Sequence, residues 1–329
     1  MRTIFFRNRP TITATSSIAG PKECSGSIGK FIQTKLSDDM YGEKTFEKAE
    51  SRMLFTSIKN SIINAGKNEL DIDAIISGDL LDQIIASTFS ARNFDTGYLG
   101  VYNACATFAE ALTLGATLID GNYMNNVVCA ASSHFSSAER QYRFPLELGC
   151  TRPPQSQWTV TGAGSCVLAS DGKGPKITAA TIGKIVDYGI TDANNMGAAM
   201  APAALNTLLT LFNDTKTNPE DYDLIVSGDL GTLGSRILKD LIWEKGFDIE
   251  KQHVDCGELV YNIAEQEYQG GSGAGCSALV FSSYLFDKLK KGKLKKIIIM
   301  ATGALLSSLS SQQGESIPGI AHAVVVEGE

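Results

Sequence analysis

The sequence predicts a layered α/β fold built from two copies of one unit, and two observations carry that expectation. The first is a repeated phrase. Residues 73–80 read Asp-Ala-Ile-Ile-Ser-Gly-Asp-Leu, and residues 223–230 read Asp-Leu-Ile-Val-Ser-Gly-Asp-Leu. Each is a short apolar run closing on Ser-Gly-Asp-Leu, the pattern of a buried strand that delivers an aspartate at its C-terminal end. The second is a longer collinear repeat of apolar helix, glycine turn and apolar strand. Residues 105–119 followed by Asn125-Asn126-Val127-Val128-Cys129-Ala130-Ala131-Ser132 match residues 276–290 followed by Lys295-Lys296-Ile297-Ile298-Ile299-Met300-Ala301-Thr302. Such a duplication relates Asp79 to Asp229 by a pseudo-two-fold axis.

Up to about residue 40 the chain is rich in Ser, Thr, Gly and Pro, which predicts loop with one strand near 3–15. Met53, Leu54, Ile58, Ile62 and Ile63 then form a 3.6-residue apolar stripe, so a first helix starts at Thr45. A strand follows over 72–77. Residues 105–119, rich in Ala, Leu and Thr, predict a helix that is apolar nearly all round and therefore buried. Strands are expected over 127–131 and 165–169. The second half predicts helices over 203–212, 235–243 and 277–289, and strands over 223–226, 296–301 and 321–326. Alternating strands and helices imply mainly parallel sheet covered by helices. Two such sheets would share a central layer made of 105–119 and 276–290, giving an α/β/α/β/α order. The halves divide at 1–172, with the loop segment 1–40 at its start, and 173–329.

Composition narrows the function. A 329-residue chain that is 43% hydrophobic supports a large core. Its net charge of −7, with no basic face evident, argues against nucleic acid as a partner. An anionic small ligand would need local donors. No stretch approaches the roughly 20 apolar residues of a membrane span. Three arginines in the first twenty residues are not followed by an apolar core of signal type, so synthesis in the cytoplasm is expected. Seven cysteines without C-x-x-C spacing read as reduced thiols. The lysine run over 288–296 reads as a solvated turn complementing a helix C-terminus.

One cysteine stands in a suggestive context. Asn103-Ala104-Cys105-Ala106-Thr107 opens the buried helix, where the dipole and free N–H groups favour a thiolate. Local sequence leaves open whether Cys105 is a nucleophile or a small buried cysteine.

The duplicated unit, this Ala-Cys-Ala-Thr helix start and Thr161-Gly162-Ala163-Gly164-Ser165 before a strand resemble the thiolase-like condensing enzymes, including the β-ketoacyl carrier-protein synthases. In that family a cysteine takes an acyl group while a histidine and an asparagine from the second half drive condensation. The resemblance places Cys105 as the nucleophile. It also places Asp229 where the histidine belongs and Gly271 where the asparagine belongs, so it implies a pocket without its catalytic partners and no metal. Longer stretches resemble one particular family. They include Gly20-Pro21-Lys22-Glu23, Gly78-Asp79-Leu80-Leu81, Ser132-Ser133-His134, residues 138–143, Asp192 with Met196-Gly197, Asp255-Cys256-Gly257, Gly270-Gly271-Ser272-Gly273 and residues 301–307. These are similar to the stage V sporulation protein AD family of endospore-forming bacteria. That resemblance implies dipicolinic acid as ligand, with or without calcium, and no cofactor. It further implies membrane-protein partners of the same spore transport system, a peripheral position on the spore inner membrane, and a homodimer.

A flat aromatic dianion needs donors for two carboxylates and apolar walls for its ring. Candidate ligand residues are Arg140 and Arg143 after strand 127–131, Ser132, Ser133 and His134 at its end, the amides at Cys105, the Gly270–Gly273 turn with Gly271, and Met196. Arg140 and Arg143 have an alternative as partners of Glu139, Glu147 or a second subunit. Asp79 and Asp229 either hold an accompanying calcium ion or bond the amides of nearby turns and helix starts. The enzymatic alternative is acyl transfer by Cys105 with His134 or His322 as base.

Overall fold

The structure is a computed structural model describing residues 1–142, 152–262 and 269–329. Ten of its strands form two five-stranded sheets, and Trp158–Thr159 pairs with Gly271–Ser272 in a separate two-stranded one. The first runs in spatial order Gly97–Gly100, Ala74–Gly78, Asn126–Ser133, Gly162–Ala169, Thr11–Ala19. The second runs His253–Asp255, Leu224–Ser227, Lys296–Ala304, Gly319–Glu327, Lys176–Thr181. In each sheet the fourth strand alone runs antiparallel to the others. The register repeats too: Ala74 lies opposite Val127 as Leu224 lies opposite Ile297. The two sheets also meet edge to edge at one antiparallel pair, Thr11 with Lys176, so they are continuous rather than separate.

Period-2 alternation sorts the side chains of each strand onto two faces. In the first sheet Ile75, Val128 and Val167 point outward onto Leu54 and Ile58 of the helix Phe46–Asn64. Their neighbours Ile76, Val127, Cys129 and Leu168 point inward, onto Phe108 and Leu112 of Thr107–Asp120 and Leu279 of Ala274–Val280. The second sheet sends Ile297, Ile299 and Val324 into the same interior. Its Ile225, Ile298, Met300 and Val325 face the outer helix Met196–Thr215. Five layers result, in the expected α/β/α/β/α order. Helix 107–120 packs against strands of both sheets. Direct helix-on-strand contact needs Gly164: a Cβ there would lie 2.1 Å from the Ala278 carbonyl oxygen.

Several elements differ from the expectation. The strand expected near 3–15 is two strands, Thr3–Phe5 and Thr11–Ala19, and the second runs on to bury Thr15, Ser16 and Ser17. Thr15 Oγ1 donates to the Ser282 carbonyl at 2.7 Å and Ser17 Oγ accepts from the Gln33 amide at 3.1 Å, while Ser16 Oγ is buried with no partner among the described residues. Helix 196–215 begins before Pro202, started by Asn195, whose side chain accepts from the Ala198 amide. The short strands 97–100, 176–181 and 253–255 and the helices Ile85–Ala91 and Phe135–Tyr142 carry too little periodicity to be read in advance. Helix 274–280 continues through one wide turn, Phe281–Leu285, into Phe286–Lys290, after which the lysine run turns.

Two buried carboxyl groups fasten loops to this frame. Glu23, in the short helix Pro21–Ser25, accepts from the Thr161 amide at 2.9 Å and from the Tyr261 hydroxyl, joining both halves. Asp255 accepts from Ser227 Oγ and from the amides of Leu230, Gly231 and Glu258. Burial pushes each up to about 7. The folded state therefore holds a proton on each that the unfolded chain releases at lower pH. Their stabilising effect is complete below about pH 4 and is lost as pH rises through about 7, with a slope of up to about 1.4 kcal/mol per pH unit for each group. Urea titrations from pH 5 to 8 should show the decline, and Glu23→Gln should remove its share. A flat profile in that window would contradict the assignment.

Candidate functional site

The second half's aspartate and the first half's cysteine meet between the two sheets. Cys105 precedes helix 107–120 on a tight elbow, with Ala104 at φ +49°, a left-handed conformation costly for a residue with a Cβ. Thr107 fastens the elbow: its Oγ1 donates to the Ala104 carbonyl at 2.6 Å and accepts from the Asn103 amide at 3.1 Å. The amides of Ala106 and Thr107 are already given to the Asn103 and Ala104 carbonyls, so they are not donors for a ligand.

Asp229 follows strand 224–227 and is fully buried. Thr302 Oγ1 donates to its Oδ1 at 2.8 Å, while Ser272 Oγ and the Gly273 amide donate to its Oδ2, each at 3.1 Å. Ser272 in turn lies 4.0 Å from the Cys105 sulfur. The Cys105 thiol and the Asp229 carboxyl group lie close enough to influence each other's titration. Burial first, then the Asp229 carboxyl group, pushes the Cys105 thiol well above its ordinary value. The helix dipole acts the other way and loses. Burial raises the Asp229 carboxyl above the usual aspartate range, while every neighbour described above is a donor to it.

A narrow cavity of about 60 Å³ opens beside this pair. Its walls are apolar at Leu80, Ala104, Ala138, Met196 and Leu306, with hydroxyls from Tyr102, Tyr142, Thr159 and Ser272, and one carboxyl group, Glu139. Of the residues singled out from sequence, Cys105 and Met196 line it, and Asp229 sits behind Ser272.

The others stand elsewhere. Asp79 is buried and turned into its own loop, where Oδ1 accepts from the Leu81 amide at 2.8 Å and Oδ2 from the Ser87 amide at 2.6 Å. Both oxygens are committed to turn and helix amides rather than to a calcium ion. Ser132 Oγ donates to buried Glu50, and Ser133 Oγ donates to the Val160 carbonyl. His134 Nε2 bonds the Asp39 carbonyl and its Nδ1 accepts from the Ser136 amide, with burial lowering its pKa. His322 Nδ1 accepts from the Gly183 amide, and burial pushes that ring down to about 4. Neither histidine lines the cavity. Arg140 is half-exposed and paired with Glu47. Gly271 is buried where a Cβ would lie 2.5 Å from Val260 Cγ1. Arg143 lies outside the described residues.

Glu139, Thr302, Tyr102 and Tyr142 are not among the site residues that the sequence suggests, and Ser272 is reached only as part of the Gly270–Gly273 turn. A signal existed for one group: once residues 135–142 are a helix, Ala138 and Tyr142 share a face by i, i+4 spacing with Glu139 beside it, and Arg140 falls on another. Ser272 is one position beyond Gly271, the residue that motif alignment had selected.

Among the described residues no cluster of three or more potential metal ligands occurs, and no helix is long and apolar enough to cross a membrane. The six described cysteines are unpaired. Among solved structures, 3-oxoacyl-(acyl-carrier-protein) synthase III from Aquifex aeolicus VF5 matches with a TM-score of 0.59 at 14% identity, over 97% of this chain and 99% of that one. A point variant of OleA from Xanthomonas campestris matches with a TM-score of 0.62 at 15% identity, over 98% of each chain. These likenesses establish the thiolase-like fold. In sequence, stage V sporulation protein AD of Bacillus subtilis (strain 168) is 39% identical over 327 residues, 99% of this chain and 96% of that protein. The profile of that family matches residues 1–327, and this chain belongs to the stage V sporulation protein AD family.

Proposed function

We propose that this protein is a non-catalytic member of the thiolase-like fold, which holds dipicolinic acid for the spore transport system and performs no chemistry on it. One observation carries the reading: the Cys105 thiol faces the Asp229 carboxyl group where the family resemblance places a histidine. A condensing reaction needs a thiolate to accept the acyl group and donors aimed at the thioester oxygen as the enolate forms. Asp229 disfavours the thiolate by its charge and uses both its oxygens as acceptors. It therefore offers the enolate oxygen no proton. The position that aligns with the family's asparagine is Gly271, which has no side chain to offer. His134 and His322 are both engaged away from Cys105, which removes the bases on which an acyl-transfer alternative would rely.

The ligand assignment rests on family membership together with the apolar walls and hydroxyls around the cavity. A ring of dipicolinate's size exceeds about 60 Å³, since ordinary ligand pockets span about 300 Å³ or more. Binding therefore requires side chains at the mouth to move. Calorimetric titration with dipicolinate, with and without calcium, should give saturable heat. Incubation with an acyl thioester should leave the intact mass unchanged. Absence of saturable heat, or a turned-over acyl adduct on Cys105, would refute the reading.

The edge strand Gly97–Gly100 supports the expected homodimer. Among the described residues it leaves one side of its backbone unpaired, with Leu99 44% exposed. Leu99→Lys should shift the mass in light scattering from dimer towards monomer. An unchanged dimer would place the contact elsewhere. Membrane proteins of the same system remain the proposed partners, with this chain peripheral at the spore inner membrane.

A further inference from the structure

Among the described residues the cavity has one carboxyl group, Glu139, and one of its partners is an enclosed arginine. Glu139 Oε1 lies 3.2 Å from Arg152 Nη1 and 3.4 Å from Thr159 Oγ1, and the ion pair is largely enclosed, with side-chain exposures of 9% and 15%. Arg152 is held behind the cavity wall. Its Nη2 donates to the Gln157 carbonyl, and its guanidinium lies over the rings of Phe135 and Trp158, centroids 5.5 and 5.1 Å away, themselves stacked at 3.9 Å. Its Nε is buried with no acceptor among the described residues. A guanidinium so fixed is a ready-made carboxylate receptor with a donor in reserve. Glu139 reaches it from the cavity side.

We propose that Glu139 is an internal stand-in for a carboxylate of the ligand, and that Arg152 is the anion-recognition residue of the site. An incoming small carboxylate displaces Glu139 from Arg152 and inherits the Thr159 hydroxyl and the guanidinium. The side chain that leaves opens the space the ring needs. No covalent bond changes; one carboxylate replaces another on the same cation. With Glu139 seated, the cavity presents negative charge to an anion. With Glu139 displaced, it presents an arginine. Arg140, a cation that the sequence suggests, pairs with Glu47 and takes no part in this exchange.

The inference rests on the ligand reading above and is separable from it. Dipicolinate is titrated calorimetrically into the wild type, Glu139→Gln, Arg152→Gln and Arg152→Lys, each checked by circular dichroism melting. Removing the competing charge should make Glu139→Gln bind about tenfold tighter, since like charges juxtaposed cost several kcal/mol. Arg152→Gln should weaken binding by about 30-fold or more, the loss typical of truncating a buried charge partner, and Arg152→Lys should recover part of it. Glu139→Gln keeps the test decisive if the Arg152 variants fail to fold. Wild-type binding that Glu139→Gln leaves unchanged or weakens overturns this inference and leaves the function standing. Absence of binding to every form overturns both.

Discussion

The buried carboxyl group of Asp229 is the constraint on which the rest of the site depends. Its acceptors collect a hydroxyl from the end of one strand of the second sheet, Thr302, and a hydroxyl and an amide from the start of a central helix, Ser272 and Gly273. The elbow of the first half then brings the Cys105 thiol to the same group. Three segments from both halves converge on one side chain, so site geometry and the seam between the halves are the same structure. A buried carboxyl group is costly unless its lone pairs are used, and here the neighbours use them. Protonated thiol and acceptor carboxyl are a mutually stable pair, which is the opposite of what a nucleophilic cysteine requires.

Duplication makes the divergence of the two halves instructive. Asp79 and Asp229 end the same phrase and follow strands of the same register. Asp79 nevertheless turns to the amides of Leu81 and Ser87, and its surroundings lead outward to Glu50. Burial raises both carboxyl groups of that pair, and their mutual charge adds to the effect at Glu50. One copy of the aspartate thus secures a loop while the other shapes a cavity. Identical local sequence specified identical strands; only the facing segment decided what each side chain does.

Much of this was readable in advance, for a definite reason. Long apolar runs such as 127–131 and 296–301 have a periodicity that survives any tertiary context, so the sheets, the buried helices and the five layers follow from them. The second part of strand 11–19 did not, because its buried Thr15 and Ser17 find their partners in segments that no local pattern reveals. The site was legible only where backbone placement alone sufficed, as at Cys105 and Met196. Arg140 shows the limit: a basic residue beside an anionic-ligand motif looked attractive, yet helical phase turns it to Glu47, and it is Glu139, one residue earlier, that faces the cavity.

On the proposed reading, burial and the Asp229 carboxyl group together keep Cys105 protonated, so that the site holds a ligand instead of acylating itself. The rate of Cys105 alkylation as a function of pH tests it most directly, because only the thiolate reacts. The account predicts a wild-type rate still rising above pH 9, with Asp229→Asn bringing the inflection back towards the ordinary thiol range. A wild-type rate that levels off at or below neutral pH would mean that a thiolate is present, and would contradict it.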